Sequence, residues 1–162
     1  MTRYEILSAL DKLFDIEDMG IQSGFTDVAP KYSDIVNKFT GAKLIEGYPD
    51  NTFKGDAGIT RAEFVKILCD MLKPAQDGTE HFSDISGHWA QRYINSFYQL
   101  DLIKGYPDGT FKPDNSITRA EAITILNKMA KIEGIQPEDD FIPDVSDSHW
   151  AYKTIYAAVK MK

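Results

Sequence analysis

Apolar residues recur at helical spacing in three long stretches of the chain. After Thr60 they fall at positions i, i+3, i+4, i+7 and i+8, which form one face of an amphipathic helix. The three faces are Ile6, Ala9, Leu10, Leu13 and Phe14; Phe64, Ile67, Leu68, Met71 and Leu72; and Ala122, Ile125, Leu126 and Met129. Shorter stretches begin at Tyr32, Trp89 and Trp150. The pattern predicts a mainly α protein whose loops contain little or no strand.

Each long stretch is preceded by a signal for a helix start. Thr60 with Glu63, and Thr118 with Glu121, have the spacing of a capping box, in which each side chain bonds the other residue's backbone amide. The first stretch has the same spacing in Thr2-Arg3-Tyr4-Glu5. Because such a cap typically contributes about 1 kcal/mol, we expect these threonines and glutamates to have a structural role.

The chain contains a nearly verbatim internal repeat. Residues 47–63 read GYPDNTFKGDAGITRAE, and residues 105–121 read GYPDGTFKPDNSITRAE, with thirteen of seventeen positions identical. A segment of the form Phe-x-Asp-Val, followed by an aromatic residue, also recurs, at residues 25–28, at residues 82–85 with Ile last, and at residues 142–145 with Ile and Pro first. Repeats of this length indicate supersecondary units that bury their apolar faces against one another. We call the segment that runs from Phe-x-Asp-Val through the following aromatic residue and short helix the head of a repeat, and the helix that begins with Thr-Arg-x-Glu its tail. We predict a tail half-repeat at 1–20, complete repeats at 21–76 and 77–137, and a head half-repeat at 138–162, packed as one compact domain.

Composition narrows the function classes. The net charge of −7 over 162 residues argues against nucleic acid as a partner, because no basic stripe can neutralise phosphates. No apolar run reaches the roughly 18–20 residues of a membrane span. The N-terminus lacks the pattern of a secretory signal, and since it begins inside a repeat we expect a fragment, which leaves secretion open. The single Cys69 excludes a disulfide framework, and its apolar setting predicts a core residue rather than a reactive thiol.

Capping does not explain the arginine that follows each threonine. Arg3, Arg61 and Arg119 would occupy the first helical position, where the macrodipole disfavours a cation by up to about 1 kcal/mol. A guanidinium beside free helix amides can bind an anion. The alternative is a salt bridge to the carboxylate of a head segment, at Asp27, Asp84 or Asp144. For the two tryptophans, the alternative to stacking on a sugar is a core anchor between repeats.

In their order and spacing, these motifs resemble the S-layer homology (SLH) domain over almost the entire chain. The resemblance implies three repeats in a pseudo-threefold arrangement, with a central helix bundle and projecting helical prongs. It also implies non-covalent anchoring of extracellular proteins to secondary cell-wall polysaccharides, often with a pyruvylated sugar, in grooves between repeats. The ligand residues implied are Arg61, Arg119 and Arg3; Trp89 and Trp150; Asp84 and Asp144; and Gly47 and Gly105. We expect Arg61→Ala and Arg119→Ala to weaken glycan binding and leave the melting temperature nearly unchanged.

The first repeat and the split repeat depart from this pattern. Tyr32 stands where the later heads have tryptophan, Tyr4 where the second tail has Ala62, and Gly55 where the second loop has Pro113. The split repeat has no Gly-Tyr-Pro-Asp loop. We hypothesise that residues 2–16 pack beside residues 141–162 to complete a third lobe; the rival is complementation in trans by a swapped dimer.

Other functions are less well supported by the residues. We expect no enzyme, because His81, His88 and His149 are scattered and no metal-ligand or phosphate-loop spacing occurs. Asp50, Asn51 and Asp56 cluster in one loop, but the EF-hand pattern is absent, and we expect no cofactor. The main alternative is a protein–protein or structural module that uses the same seams between repeats. The expected location is extracellular, at the cell wall or S-layer.

Overall fold

The computed structural model describes residues 1–76 and 78–129, and five α-helices lie within them. They are α1 (Arg3–Leu13), α2 (Ser33–Gly41), α3 (Arg61–Leu72), α4 (Gln91–Gln99) and α5 (Arg119–Met129), with a 3-10 helix at Pro30–Tyr32. The β-structure in these residues is limited to two isolated antiparallel bridges, Thr2 with Gly58 and Thr60 with Ser116. The prediction of a mainly α fold is confirmed.

The chain forms two compact units, Met1–Ser116 and Ile117–Lys162. The first unit contains α1 to α4. In the second unit, α5 starts at Arg119 and buries Ala122, Ile125 and Leu126. The residues of the third head, from 138 onward, lie outside the described residues, and so does the hypothesised packing of residues 141–162. The threefold arrangement and the repeat boundaries therefore stay predictions.

Capping boxes start α1, α3 and α5, as the sequence predicts. Thr60 accepts a hydrogen bond from the Glu63 amide at 3.1 Å, and the Glu63 carboxylate accepts one from the Thr60 amide at 2.8 Å. Thr2 with Glu5 and Thr118 with Glu121 form the same reciprocal pair. Each pair satisfies two amides that a helix start would otherwise leave free.

The first unit contains two equivalent packing modules, residues 1–58 and residues 59–116. In each module the long helix packs on the short helix that follows it, α1 on α2 and α3 on α4. The fully buried residues of these helices include Ile6 and Leu10 on α1, Val36 and Phe39 on α2, Phe64 and Leu68 on α3, and Ile94 and Phe97 on α4. These residues belong to the apolar faces predicted from the sequence, and their burial holds each pair of helices together. The faces are exposed at their C-terminal ends, where Leu13 and Leu72 are 39% and 44% exposed.

Each module is closed by a loop, which we call the first loop (residues 47–58) and the second loop (residues 105–116). Each loop is hydrogen-bonded to the start of the long helix of its module. In the first module the Arg3 amide donates to Ala57 O at 3.0 Å, and the Tyr4 amide donates to Gly55 O at 2.9 Å. In the second module the Arg61 amide donates to Asn115 O, also at 2.9 Å. These bonds satisfy free helix amides and fix each arginine at the loop.

Asp27 and Asp84 hold the loops and do not pair with the arginines, which corrects the salt-bridge alternative for these two carboxylates. Asp27 accepts hydrogen bonds from the amides of Phe53 at 2.6 Å and Lys54 at 2.8 Å. Asp84 accepts the equivalent bonds from Phe111 at 2.8 Å and Lys112 at 2.7 Å. The Phe53 bond lowers the pKa of Asp27, because it stabilises the ionised carboxylate. The third carboxylate, Asp144, lies outside the described residues.

Two departures from the repeat pattern, Tyr4 and Gly55, compensate for each other. The Tyr4 ring is 2% exposed, and a Cβ built on Gly55 would lie 1.9 Å from its Cζ atom. The large residue at position 4 therefore requires glycine at position 55. In the second module, Ala62 leaves room for Pro113.

Cys69 is a core residue, as predicted. It is buried on α3, and its Sγ donates to Tyr93 O at 3.4 Å. Burial raises the pKa of its thiol to about 12, which keeps the thiol protonated at neutral pH.

Candidate functional site

A cleft of about 190 Å³ lies between the first loop and α3, within the first unit. Its lining residues are Arg3, Leu44, Ile45, Glu46, Gly47, Tyr48, Glu63, Lys66, Ile67 and Trp89. We call it the Trp89 cleft. It brings together three residues implied by the family resemblance, Arg3, Gly47 and Trp89.

Arg3 is fixed in this cleft by four groups. Its Nη1 lies 3.2 Å from the Glu63 carboxylate, and its Nη2 donates to Glu46 O at 2.9 Å. The guanidinium carbon also lies 4.5 Å from the centroid of the Phe53 ring and 5.4 Å from that of Tyr48. Arg3 is only 6% exposed, and its Nε is buried without a hydrogen-bond partner. The guanidinium is therefore held rigidly and retains one unsatisfied donor.

Two charged residues of α3 complete the polar wall, Glu63 and Lys66, and neither was among the predicted site residues. Glu63 bonds Arg3 through one carboxylate oxygen and caps α3 with the other. Lys66 Nζ lies 2.8 Å from the Asp70 carboxylate and 3.9 Å from that of Glu46. The sequence carries one signal for Lys66, since the equivalent positions of the other tails hold the uncharged residues Ser8 and Thr124.

Trp89 is exposed, which argues against the alternative of a core anchor for this residue. Its exposed fraction is 55%, and its ring meets Tyr93 edge-on at a centroid distance of 6.4 Å. In the first module, the equivalent Tyr32 stacks on Tyr4 at 3.9 Å. The second module has Ala62 in place of Tyr4, so no ring at that position covers the tryptophan. The other tryptophan, Trp150, lies outside the described residues.

Arg61 occupies an equivalent setting at the second loop. Its Nε donates to Phe111 O at 2.8 Å, and its guanidinium carbon lies 4.4 Å from the Phe111 centroid and 5.1 Å from that of Tyr106. Arg61 is 4% exposed. The expectation that Arg61→Ala leaves the melting temperature unchanged is therefore revised, because the substitution removes buried packing.

The two loop glycines are required by packing. A Cβ on Gly47 would lie 2.1 Å from the Phe25 ring, and one on Gly105 would lie 2.3 Å from the Phe82 ring. Gly47 also lines the Trp89 cleft, so its backbone is available to a ligand. Arg119, at the start of α5, is exposed, and its side chain makes no hydrogen bond or ion pair within the described part of the chain.

The described residues place two further limits on the chemistry. Among residues 1–76 and 78–129, no three His, Cys, Asp or Glu side chains cluster as a metal site would require. No helix in the same residues has the length and apolarity to cross a membrane.

Comparison with known proteins identifies the family. The S-layer homology domain matches residues 24–65 and 81–123, just over half of the chain. The chain is 36% identical to Cell surface glycoprotein 1 and 40% identical to the Cellulosome-anchoring protein, both of Acetivibrio thermocellus, over 96% and 74% of its length. It is 31% identical to the Surface layer protein of Brevibacillus choshinensis over 68% of its length. It spans only 7%, 28% and 11% of those three relatives. The chain belongs to the S-layer homology domain family.

Proposed function

We propose that this chain is a non-catalytic module that anchors its parent protein to the bacterial cell wall by binding a secondary cell-wall polysaccharide in the Trp89 cleft. Family membership supports cell-wall anchoring in general. The relatives named as a cellulosome-anchoring protein and a surface layer protein support a location at the cell surface. The observation that carries the specific proposal is the exposed Trp89 ring beside fixed charged groups in one cleft.

The cleft has the two kinds of surface that a sugar ring requires. The exposed face of the Trp89 ring can pack against the apolar face of a pyranose. Arg3 and Lys66 supply donors, and the carboxylates of Glu46 and Glu63 supply acceptors, for the hydroxyls at the ring edge. Because the Arg3 guanidinium is already fixed, its contacts to the ligand require little further ordering.

We further propose that the bound sugar is acidic, with a pyruvylated sugar as the first candidate. The two cationic side chains in the lining, Arg3 and Lys66, support an acidic ligand, since a carboxylate forms charge-assisted hydrogen bonds with such donors. The alternative function is protein–protein interaction through the same surface, which the charge of −7 would serve equally well.

The test is co-sedimentation of the protein with purified wall sacculi, before and after extraction of their secondary polymer. We expect binding to intact sacculi, loss of binding after extraction, and at least a roughly tenfold weaker affinity for Trp89→Ala. Tyr98→Ala is the matched control, because Tyr98 is a partly exposed aromatic residue that does not line the cleft. Unchanged sedimentation with extracted sacculi would favour a protein or peptidoglycan partner and overturn the proposal.

A further inference from the structure

A second pocket, of about 260 Å³, lies between α3 and α4 in the first unit. We call it the Arg92 pocket. Its lining includes Cys69 and Lys73 from α3 and its end, and Arg92, Tyr93 and Ser96 from α4. None of its lining residues belongs to the Trp89 cleft. The pocket is therefore a separate feature of the same pair of helices.

At the position of the pocket, the first module has an ion pair that the second module lacks. In the first module, Lys38 on α2 bonds Asp11 on α1 at 2.7 Å. The residues 58 positions later are Ser96 and Cys69. These shorter, uncharged side chains leave space where the first module has a long lysine and its carboxylate.

Two unpaired cations border the pocket. The side chains of Lys73 and Arg92 are exposed, and neither makes a hydrogen bond or ion pair within the described residues. The acidic residue at the pocket, Asp70, is paired with Lys66 at 2.8 Å. In the Trp89 cleft, by contrast, Arg3 and Lys66 are each paired with a carboxylate. At the Arg92 pocket an anion therefore meets two cations without first displacing a carboxylate from either of them.

Two side-chain pairs connect the cleft to the pocket. Lys66 lines the cleft and Asp70 lines the pocket, and their ion pair joins the two along α3. Trp89 lines the cleft and Tyr93 lines the pocket, and their rings are in edge contact. Lys66 and Asp70 are four residues apart in α3, and four residues span about 6 Å along a helix, a spacing comparable with one sugar unit. A glycan chain that stacks on Trp89 could therefore continue past Tyr93.

We propose that the Arg92 pocket is an extension subsite that binds an anionic sugar further along the polysaccharide held in the Trp89 cleft. This proposal rests on the proposed function of the cleft. Lys73 and Arg92 bind the carboxylate or phosphate substituent of that sugar, and Tyr93 contacts its ring. The subsite adds affinity for long glycans and leaves the affinity for a single terminal sugar unchanged.

The test compares short and long fragments of the wall polymer that binds the protein, released from sacculi and separated by size. The variant carries Lys73→Asp and Arg92→Asp. The residues 58 positions earlier are Asp15 and Asp34, and Asp34 occupies the same position in the first turn of α2 that Arg92 occupies in α4. The control carries Lys12→Asp and Lys43→Asp, which change the net charge equally at exposed lysines outside both pockets.

We expect the wild type to bind the long fraction more tightly than the short one, by isothermal titration calorimetry. The Lys73→Asp, Arg92→Asp variant should lose roughly tenfold in affinity for the long fraction only, equivalent to about 1.4 kcal/mol. Raising the salt concentration should reduce the wild-type preference, because exposed charges are screened. A variant that binds the long fraction as tightly as the wild type does would overturn the extension subsite alone. Failure of the wild type to bind either fraction would overturn the proposed function and the subsite together.

Discussion

Tyr4 and Gly55 show how one large side chain changes a module at the level of single residues. Tyr4 fills the space above Gly55, stacks on Tyr32 and accepts a hydrogen bond from the Ala29 amide at 3.0 Å. The head aromatic of the first module is thereby covered, whereas Trp89 in the second module remains exposed. The difference between Tyr4 and Ala62 therefore determines which head aromatic is available to a ligand.

This coupling predicts a non-additive pair of substitutions. Tyr4→Ala should lower the free energy of unfolding by about 3–5 kcal/mol, because a fully buried ring is removed. Gly55→Ala should lower it by about 1–3 kcal/mol, because its Cβ would collide with that ring. In the double variant the collision is absent, so the loss should be smaller than the sum by at least about 0.5 kcal/mol. Urea denaturation measures all three values. Gly78→Ala, where an added Cβ meets no atom within 4 Å, is the control, and strict additivity would contradict the steric account.

Residue patterns predicted the helix starts but not the partners of the charged residues. Thr60 and Glu63 are close in sequence, so their pairing follows from spacing alone. The partner of Arg3 is Glu63, 60 residues away, and this pairing depends on how the modules pack. The role of Asp27 was missed for the same reason, because it bonds amides 26 and 27 residues away. Long-range polar contacts are set by tertiary structure, which local spacing does not encode.

At the level of elements, the first loop is connected to the head segment by the hydrogen bonds from its Phe53 and Lys54 amides to the Asp27 carboxylate. The first loop also contains Asp50, whose pKa is lowered chiefly by the hydrogen bond from the Thr52 hydroxyl. In the second loop, Thr110 lowers the pKa of Asp108 in the same way. All three carboxylates favour the ionised form in the folded state, so the loops are held most firmly when these residues are charged.

The stability of the protein should therefore fall in acid. A carboxyl group with a lowered folded-state pKa stabilises the fold above its unfolded pKa of about 3.9, and this contribution disappears as the pH falls through the folded value. We expect Asp27→Asn to lower the melting temperature at pH 7, and the difference from wild type to shrink from pH 5 to pH 3. Calorimetric melting at pH 7, 5, 4 and 3 measures this. A difference that stays constant with pH would show that the charge of Asp27 does not hold the loop.

At the level of the whole molecule, the described residues contain two copies of one design. Each copy places an arginine over the aromatic residues of its own loop, Arg3 over Tyr48 and Phe53, and Arg61 over Tyr106 and Phe111. The repeat in the sequence predicted this equivalence. It did not predict the Trp89 cleft or the Arg92 pocket, because both form where residues from different repeats meet.

The most direct test of the central claim is the fluorescence of Trp89 during titration with released wall polymer. The chain has two tryptophans, so a Trp150→Phe variant makes Trp89 the sole tryptophan reporter. We predict a saturable change in its emission, with a midpoint that matches the affinity measured with sacculi. Emission that stays unchanged at polymer concentrations that saturate binding would show that the glycan binds elsewhere and would contradict the account.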